Sequence, residues 1–367
     1  MSAARDVAPE QRTEGALVRI GIIGCNFGRL VHLPGFRRDA RCEVVGLAGR
    51  DATRTRDLAV ASNVPMAFGH WQDLVEHPSI DAVAIATPPS LQPAIAIRAL
   101  ELGKPVFAEK PMAADLAAAE RMARAAQASR RTTMVDFNFS EILTWRRAKE
   151  LLQEGAIGRL RHVGINWHVE NYATRMRIKS WKVLSDDGGG ALGNFVSHCF
   201  HYLEWFCGPV VGMSARLSGT HDATETTAHI NLAFQSGAAG HVAMSCASYL
   251  GSGHRLEFYG EDGTMTLVNT TADYMRGFRL SIGQRPANAL TQFEVDDPVD
   301  REFPADSRIA PVSRMAAAFL DGIEGGQSTW IGFEQGLRVQ ALLDTARRAN
   351  HLGRWLDIDP SSLDQKS

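Results

Sequence analysis

The sequence predicts an α/β protein with an N-terminal doubly wound parallel sheet and a C-terminal α/β domain built on a large, mostly antiparallel, open sheet. In the first third of the chain, short apolar runs alternate with helical segments, which is the order of a parallel sheet with right-handed crossovers. A glycine-rich turn at residues 21–28 joins the first run to the first helix. Beyond residue 210, apolar runs follow one another without intervening helices, as in antiparallel sheets.

The first part of the chain is predicted to form one domain over residues 15–137. Its first strand is continuously apolar, as expected where both faces of a sheet are covered. Gly103 follows the fourth helix in the position where helices usually end. Strands are predicted at 18–23, 43–48, 80–86, 106–108 and 132–137, and helices from Gly28 and at 53–61, 71–76, 92–101 and 115–129.

A second domain is predicted over residues 138–312. It begins with a helix at 142–154, a strand at 161–170, a polar irregular segment to residue 187 and a helix at 190–206. Strands then follow at 210–217, 226–235, 238–247, 255–259 and 265–268, with hairpin-turn signals at Ser236-Gly237 and Asp262-Gly263.

One face of this second sheet is expected to lie on helices, because Ile230, Leu232 and Phe234 alternate with more polar residues. The other face is then open, which favours a homodimer or homotetramer. Late helices at 313–324 and 333–350, within a segment ending at residue 358, are predicted to pack back on the first domain.

Bulk properties exclude several classes of protein. A formal net charge of -2 does not indicate nucleic acid or an anionic membrane as a partner. No apolar run approaches the ~20 residues that a membrane span needs. Residues 1–14 lack the apolar core of a secretory signal, so a loose tail is expected. The cysteines contain no C-x-x-C pair, which argues against structural zinc and fits reduced thiols in a cytoplasmic protein: Cys25, Cys42, Cys199, Cys207 and Cys246.

The glycine-rich turn is a candidate dinucleotide site, because a pyrophosphate binds where a strand turns tightly into a helix. Gly24 can make the tight turn. Asn26 stands where the second glycine of G-x-G-x-x-G would be, and after Phe27 the last glycine, Gly28, comes one residue early. Asparagine tolerates the left-handed conformation better than most residues. The alternative is a glycine-lined turn without a ligand, and the surrounding strand–helix–strand pattern favours the cofactor.

The end of the second strand indicates which dinucleotide is bound. A carboxylate there would bind the 2′-hydroxyl of NAD, but the position is occupied by Gly49 and followed by Arg50. A small residue next to an arginine suits a 2′-phosphate, so NADP is favoured and NAD stays the alternative. In that alternative, Arg50 is a solvated surface residue and Asp51 caps the next helix.

A lysine stands at the end of the strand at 106–108, where open α/β sheets hold their ligands. Lys110 lies between Glu109 and Pro111, and a cis peptide is far less costly before proline than elsewhere. Beside a nicotinamide, this lysine could hydrogen-bond the reacting oxygen and share its proton. The alternative is a surface lysine in a turn.

The helix at 190–206 carries a polar stripe on a largely apolar segment. Asn194, His198 and His201 are spaced by four and then three residues, which places them on one face. The ordinary pKa of histidine suits His198 for exchanging the proton of a secondary alcohol. The alternative for both histidines is a hydrogen-bonded core residue, and it weighs more for His201.

Other reactions find no support in the motifs. No tyrosine is followed four residues later by lysine, no cysteine–histidine set suits a catalytic zinc, and the G-x-S-x-G motif of serine hydrolases is absent. No metal cofactor is therefore expected.

The sequence resembles the Gfo/Idh/MocA family, which includes glucose–fructose oxidoreductase and inositol dehydrogenase, over about residues 19–358. Four motifs carry the resemblance: Gly24-Cys25 with His32-Leu33-Pro34, Ile85-Ala86-Thr87-Pro88-Pro89, Glu109-Lys110-Pro111, and Gly188-Gly189-Gly190-Ala191-Leu192 leading to His198. The resemblance implies an N-terminal Rossmann domain and a C-terminal domain whose open sheet mediates oligomerisation. It also implies hydride transfer between a nicotinamide and a carbon of a sugar, cyclitol or related polyol.

The resemblance further implies roles for individual residues. Lys110 matches the catalytic lysine and His198 the histidine that donates or accepts the proton. Thr87 and Pro88 match a loop along the cofactor, while Glu109 and Asn138 match residues at the nicotinamide ribose and the nicotinamide. Candidates for the substrate pocket are Tyr172, Arg175, Trp181, Lys182 and His201.

Two residues depart from the family pattern. Asn194 stands where the family commonly has aspartate, so proton transfer would rest on His198 and Lys110 while Asn194 orients the hydroxyl. Asn26 replaces a glycine of the cofactor turn. A sugar or polyol oxidoreductase is the leading hypothesis. The alternatives are an enzyme of no net redox change with a tightly held cofactor, and a regulator that senses a dinucleotide or sugar.

Overall fold

The computed structural model describes residues 17–176, 178, 180–219, 224–325 and 331–359. The tail predicted over residues 1–14, and the first two residues of the predicted first domain, lie outside the described residues. Among the residues that are described, we find no helix with the length and apolarity that a membrane span requires.

Six parallel strands form the first sheet, in the order β3-β2-β1-β4-β5-β6. The strands are β1 (Val18–Ile23), β2 (Cys42–Ala48), β3 (Met66–Phe68), β4 (Ala82–Ile85), β5 (Val106–Ala108) and β6 (Thr133–Val135). The helices between them are α1 (Leu33–Arg37), α2 (Ala52–Ala61), α3 (Trp71–Glu76), α4 (Gln92–Glu101) and α5 (Leu116–Ser129). A π-helical turn, Gly28–His32, precedes α1.

The predicted doubly wound sheet is confirmed, and local chemistry explains its helix ends. The side chain of Asp51 accepts a hydrogen bond from the N–H of Arg54 and caps α2, and Asp115 caps α5 through the N–H of Ala118. The prediction missed β3, a strand of three residues at the edge of the sheet, because so short and half-exposed a segment has no continuous apolar run.

Nine strands form the second sheet, in the order β14-β13-β12-β11-β7-β10-β9-β8-β15. The strands are β7 (Leu160–His168), β8 (Val210–Gly219), β9 (Glu225–Phe234), β10 (Ala239–Ser245), β11 (Gly253–Gly260), β12 (Gly263–Asn269), β13 (Arg279–Gln284), β14 (Thr291–Phe293) and β15 (Leu356–Asp357). All neighbours are antiparallel except β7 and β10, so the predicted mostly antiparallel sheet is confirmed.

The helices after the first sheet are α6 (Leu143–Gln153), α7 (Tyr172–Arg175), α8 (Ser197–Cys207), α9 (Pro298–Glu302), α10 (Ile309–Ile323) and α11 (Phe333–Leu352). Short 3₁₀ turns lie at Asn138–Glu141, Trp181–Val183 and Ser185–Asp187, and a second π-helical turn, Leu192–Val196, leads into α8. α10 begins four residues earlier than predicted, at Ile309 rather than 313, because Pro311 is tolerated in the first turn of a helix.

The inner face of the second sheet packs on α6 and α8. Ile230, Leu232 and Phe234 are buried, as their alternation predicts, whereas His229 and Asn231 on the other face are exposed. Aromatic rings fill the space between the helices and the sheet: Trp145 of α6 contacts Phe139, Tyr202, Phe206 and Phe278, and Phe206 contacts Phe258 of β11.

The two late helices connect the sheets. α10 packs against α1, and α11 packs against both α5 and β8. The guanidinium of Arg338 in α11 pairs with the carboxylate of Glu204 in α8 at 2.8 Å and also donates to the carbonyl of Val210. The helix that carries His198 is thereby held against the first sheet's helices.

Replacing Trp145 with alanine should lower the free energy of unfolding by about 3–5 kcal/mol, since the fully buried ring leaves a cavity. Chemical denaturation followed by far-UV circular dichroism measures the change. Trp145→Phe is the control, because it keeps an aromatic ring and leaves a smaller cavity, and the indole N–H that it also removes has no partner among the described residues. An alanine variant as stable as the wild type would contradict this account of the core.

Candidate active site

The candidate site lies along the carboxyl ends of the first sheet. The turn at Gly24 follows β1, Thr87 and Pro88 follow β4, and Glu109 follows β5. The strand order reverses between β1 and β4, and ligands of doubly wound sheets bind at such a switch point. The topology therefore gathers the residues that the sequence predicted for the cofactor, although they are far apart in the chain.

The glycine-rich turn approaches the next strand closely. Gly24 has a φ of +125°, and a Cβ there would lie 2.3 Å from the carbonyl oxygen of Ala86. A Cβ at Gly28 would lie 2.7 Å from Ile22, so this glycine permits close packing of helix on strand. Asn26 does not take the left-handed conformation that the sequence argument considered. Its carbonyl instead accepts the N–H of Leu30 at 2.9 Å, as a helical residue does.

Gly49, at the end of β2 where a carboxylate would bind the cofactor ribose, has no room for a side chain. A Cβ at Gly49 would lie 2.5 Å from the Cys25 Sγ and 2.6 Å from the Thr55 Oγ1. Arg50 is exposed, and within the described part of the chain it makes no hydrogen bond or ion pair. Asp51 caps α2, as the alternative reading of this segment predicted.

Lys110 connects the first sheet to the helix of the second domain. The Lys110–Pro111 peptide bond is cis, as the sequence suggested. The Nζ of Lys110 donates a hydrogen bond of 3.0 Å to the carbonyl of Asn194. Burial lowers the pKa of Lys110 to about 8, with Glu109 opposing the shift and Lys182 adding to it. The amine is thus neutral in an appreciable fraction of molecules near neutral pH.

His198 and Asn194 lie close to this lysine. Asn194 belongs to the π-helical turn Leu192–Val196, and His198 is the second residue of α8. Burial holds the pKa of His198 well below its usual value, and the charge of Lys110 lowers it further. The ring contacts Phe139 edge-on at 4.8 Å, and its Nδ1 is buried without a hydrogen-bond partner among the described residues.

His201 lies one turn further along the same helix, in the interior. Its ring stacks on Phe137 with centroids 4.4 Å apart, and burial lowers its pKa to about 3. This packing favours the core alternative for His201.

Two further polar atoms at the strand ends are sealed from solvent without partners in the described chain. They are the Oγ1 of Thr87 and the Oδ1 of Asn138. A buried polar group without a hydrogen bond is costly, so an oxygen- or nitrogen-rich ligand would satisfy both. Together with the close turn at Gly24, these atoms fit a nicotinamide dinucleotide.

The segment predicted to form the substrate pocket is only partly brought to the cleft. Tyr172 is 70% exposed and Arg175 is exposed with it on α7, whereas Trp181 is half-buried. The charge of Lys182 reaches Lys110 and Glu109. Two residues outside the prediction also line this region.

Those residues are Tyr274 and Arg308. Arg308 lies over the ring of Phe27 at 5.2 Å, and the phenol of Tyr274 interacts with Arg308 and with the charge of Glu109. Both residues come from the C-terminal half, in segments without a motif, so no sequence signal marked them.

Sequence reasoning also missed a group beneath Lys110. His32 appeared only within a family motif, and Asp136 was not singled out. His32 and Asp136 are fully buried, and the Nε2 of His32 lies 2.9 Å from Glu109 Oε1 and 3.4 Å from Asp136 Oδ2. An aspartate directly after an apolar strand, at residues 133–136, was the available signal.

The fold and the cleft together define a class, the oxidoreductases that bind a nicotinamide dinucleotide at the switch point of a doubly wound sheet. Two family models agree. One, described as an oxidoreductase family with an NAD-binding Rossmann fold, matches residues 18–137, and the GFO/IDH/MocA C-terminal domain matches residues 145–266. The chain therefore belongs to the GFO/IDH/MocA family of oxidoreductases, as the resemblance predicted.

Similar proteins extend this assignment over most of the chain. The "Uncharacterized oxidoreductase sll0816" of Synechocystis sp. is 28% identical over 94% of this chain and 97% of its own length. A "1-carboxy-3-chloro-3,4-dihydroxycyclo hexa-1,5-diene dehydrogenase" of Comamonas testosteroni is 31% identical over 69% of this chain and 62% of its own. The structure of levoglucosan dehydrogenase in complex with NADH and L-sorbose has the same fold, with a TM-score of 0.84 and 20% identity over 94% of this chain and 99% of that one.

Replacing Gly24 with alanine should raise the Kd for NADH at least ~10-fold, because the turn must move away from Ala86 and a strain of about 1–3 kcal/mol is added. Fluorescence titration of the nicotinamide measures the Kd. Gly155→Ala is the matched control, since Gly155 also has a positive φ, of +73°, but a Cβ there meets nothing within 4 Å. Equal Kd values for both variants would remove this turn from the cofactor site.

Proposed function

We propose that this chain is an NAD(P)-dependent dehydrogenase or reductase acting on a CH–OH group of a sugar, cyclitol or related polyol, or on the matching ketone. The observation that carries the proposal is the hydrogen bond from Lys110 Nζ to the carbonyl of Asn194. It places an amine of lowered pKa beside the helix of His198, at the edge of the sheet where a nicotinamide would lie.

The chain's own residues supply proton transfer and orientation in this proposal. The bound nicotinamide supplies or accepts the hydride. Lys110 and His198 exchange the proton of the substrate hydroxyl. A general base works best with a pKa near the operating pH, which Lys110 meets, while His198 is held neutral by burial and can accept a hydrogen bond. Asn194 orients the substrate oxygen. The amide of Asn194 cannot take the proton itself, so that task falls on the other two residues.

The substrate class rests on similar proteins and on the polar character of the cleft. Relatives of this fold include levoglucosan dehydrogenase, whose structure contains NADH and L-sorbose. Lys182 and Trp181 are the residues of the irregular segment that we assign to the substrate, with Tyr172 and Arg175 nearer its rim. The packing of His201 on Phe137 favours a supporting position behind His198.

For the cofactor we propose NADP, with NAD as the alternative. Gly49 leaves the ribose position without a carboxylate, and the exposed Arg50 is free to pair with a 2′-phosphate. Gly24, Asn26, Phe27 and Gly28 would hold the pyrophosphate through the turn and helix start. Thr87, Pro88, Glu109 and Asn138 would contact the nicotinamide half.

We further propose a division into a cofactor domain at 15–137, a substrate and oligomerisation domain at 138–312 and a returning helical segment at 313–358. The outer face of the second sheet exposes polar side chains on neighbouring strands, including His229, Asn231, His241 and Arg255, and this supports a homodimer or homotetramer. The five cysteines are free, which supports a cytoplasmic protein. Light scattering of the purified chain measures the oligomer mass.

The oxidation rate should rise with pH and level off above about 8, because the neutral amine of Lys110 acts as the base and its pKa is lowered to about 8. Ketone reduction should fall over the same range, since it needs the protonated amine. Lys110→Ala should lower kcat at least ~10²-fold and abolish this pH dependence.

The control for Lys110 is Lys104→Ala, because burial also lowers the pKa of Lys104, which bonds the carbonyls of Val75 and His77 away from the cleft. Steady-state rates of the wild type and of both variants, measured from pH 6 to 10, give the pH dependence of kcat for each. Near-normal turnover of Lys110→Ala would remove Lys110 from the chemistry. A cofactor that stays bound and spectrally unchanged during turnover would favour the alternative without net redox change.

Arg50→Ala should weaken NADPH binding about 10-fold, on the scale of one charge-assisted contact, and leave NADH binding unchanged. Paired fluorescence titrations with NADPH and NADH measure both constants. Arg56→Ala, at an exposed arginine of the helix α2 that follows Arg50, is the control. A wild-type preference for NADH would refute the ribose argument while keeping the family, and no binding of either dinucleotide would refute the proposed redox function.

A further inference from the structure

Three titratable side chains meet beneath Lys110, and the proposed proton transfer uses none of them. His32 is the last residue of the π-helical turn Gly28–His32, Glu109 follows β5 and Asp136 follows β6. His32 and Asp136 are fully buried, while the side chain of Glu109 keeps 14% exposure toward the cleft. Glu109 is therefore the member of this trio through which the buried network reaches the cofactor site.

Only one ring nitrogen of His32, the Nε2, has polar neighbours among the described residues. Its Nε2 lies 2.9 Å from Glu109 Oε1 and 3.4 Å from Asp136 Oδ2. Its ring is held edge-on between Phe27 and Phe107, at 5.3 and 5.1 Å, and the Nδ1 has no hydrogen-bond partner among the described residues. Because both neighbours of Nε2 are acceptors when ionised, the hydrogen on Nε2 is donated to Glu109.

Glu109 also contacts the main chain of Lys110, so its orientation and that of the lysine backbone are linked. Its other oxygen, Oε2, accepts the N–H of Lys110 at 3.3 Å. The buried amide of Gln92 donates to the carbonyls of Glu109 and Pro111, at 2.9 Å each. The backbone on both sides of Lys110 is thus tied down, and the Glu109 carboxylate can no longer rotate freely.

We propose that His32 is a positioning residue which, with Asp136 beside it, holds the Glu109 carboxylate in one orientation for the hydroxyls of the nicotinamide ribose. The inference rests on the proposed function, since it needs a dinucleotide in the cleft. Neither His32 nor Asp136 touches substrate or cofactor in this arrangement. They act through Glu109 and, by its Oε2, on the backbone of Lys110.

The charges of the trio support this assignment. Burial opposes protonation of His32, but the interactions in which its Nε2–H faces the acceptor oxygens of Asp136 and Glu109 outweigh burial and raise the pKa of His32 to about 9. Burial would raise the pKa of Glu109, but His32 outweighs it and lowers the pKa. Burial and the charge of Glu109 raise the pKa of Asp136. The other titratable groups whose charge reaches Glu109 are Lys110, Lys182 and Tyr274.

A metal ion is the competing occupant, since a histidine and two carboxylates lie within 4.8 Å of one another. The 2.9 Å contact of His32 with Glu109 is an ordinary hydrogen-bond length, so a shared proton accounts for it without an ion. Metal analysis of the purified protein therefore belongs to the test. One zinc or similar ion per chain would overturn the proposal.

The test compares His32→Leu with His32→Gln in NADH and NADPH titrations at pH 6 and pH 9. Leucine removes the donor and leaves the two carboxyls to share a proton, so the Kd should rise at least ~10-fold at pH 6 and recover toward the wild-type value at pH 9. Glutamine can place an N–H near the position of Nε2 and should stay within about threefold of the wild type at both pH values.

Three outcomes separate the explanations. Wild-type affinity of a folded His32→Leu at both pH values would overturn the proposal. An equal loss in both variants at both pH values would also overturn it, because His32 would then serve packing alone. If the wild type binds no dinucleotide, the proposed function fails first and the inference fails with it.

A second measurement needs no destabilising variant. Histidine NMR of the wild type, with the His32 signal identified by its absence in His32→Gln, should show an imidazolium up to about pH 8, since the pKa is raised to about 9. Titration of that signal in the ordinary range near 6.5 would overturn the proposal. Asp136→Asn, which imitates the protonated acid, should leave the Kd at pH 6 within about twofold.

Discussion

The hydrogen bond between Lys110 Nζ and the carbonyl of Asn194 is the contact on which the arrangement of the cleft depends. One partner stands at the end of a parallel strand and the other in a π-helical turn of the second domain, so this bond joins the two halves of the site at the cleft, while Arg338 and Glu204 hold α8 from behind. Wide π-helical turns occur often at functional positions. Here one such turn ends at His32 and the other contains Asn194.

Burial and neighbouring charges give the titratable groups of the cleft different protonation states. Lys110 and His198 both lose solvent, and for both cations this lowers the pKa. Glu109 is also buried, yet its pKa falls because His32 lies against it. A neutral histidine, a lysine that loses its proton near pH 8 and an ionised carboxylate can therefore coexist within one small region, as an acid–base relay beside a cofactor requires.

The sequence predicted the elements whose patterns are local. The strand Val18–Ile23 and the helices Trp71–Glu76 and Gln92–Glu101 agree residue for residue, because a continuous apolar run and a helical period need no tertiary information. It missed β3, β13, β14 and β15, of which β3 and β14 are three-residue strands with half-exposed or exposed side chains. Their pairing is decided by the neighbouring strand rather than by their own composition.

The same division holds for the site. Lys110, His198 and Asn194 stand in motifs, so their spacing identified them. Tyr274 and Arg308 lie in segments without a pattern, and only the return of the chain over the first sheet brings them to the cleft. Asn26 shows the opposite error, since residue type suggested a left-handed turn whereas the helix simply begins there. The conformational preference of asparagine therefore predicted the backbone at this position less well than the hydrogen bond between the Asn26 carbonyl and the Leu30 N–H would have done.

The asparagine at position 194 has a consequence for how charge is distributed during the reaction. A carboxylate near Lys110 would raise the pKa of the amine and hold it protonated. Asparagine adds no charge, so the pKa of Lys110 stays at about 8. Glu109 is then the main anion that opposes the loss of the lysine's proton. In the proposed arrangement, the orientation of Glu109 matters twice, once for the nicotinamide ribose and once for the electrostatic field at Lys110. This would be the physical reason for burying two further titratable groups, His32 and Asp136, behind the Glu109 carboxylate.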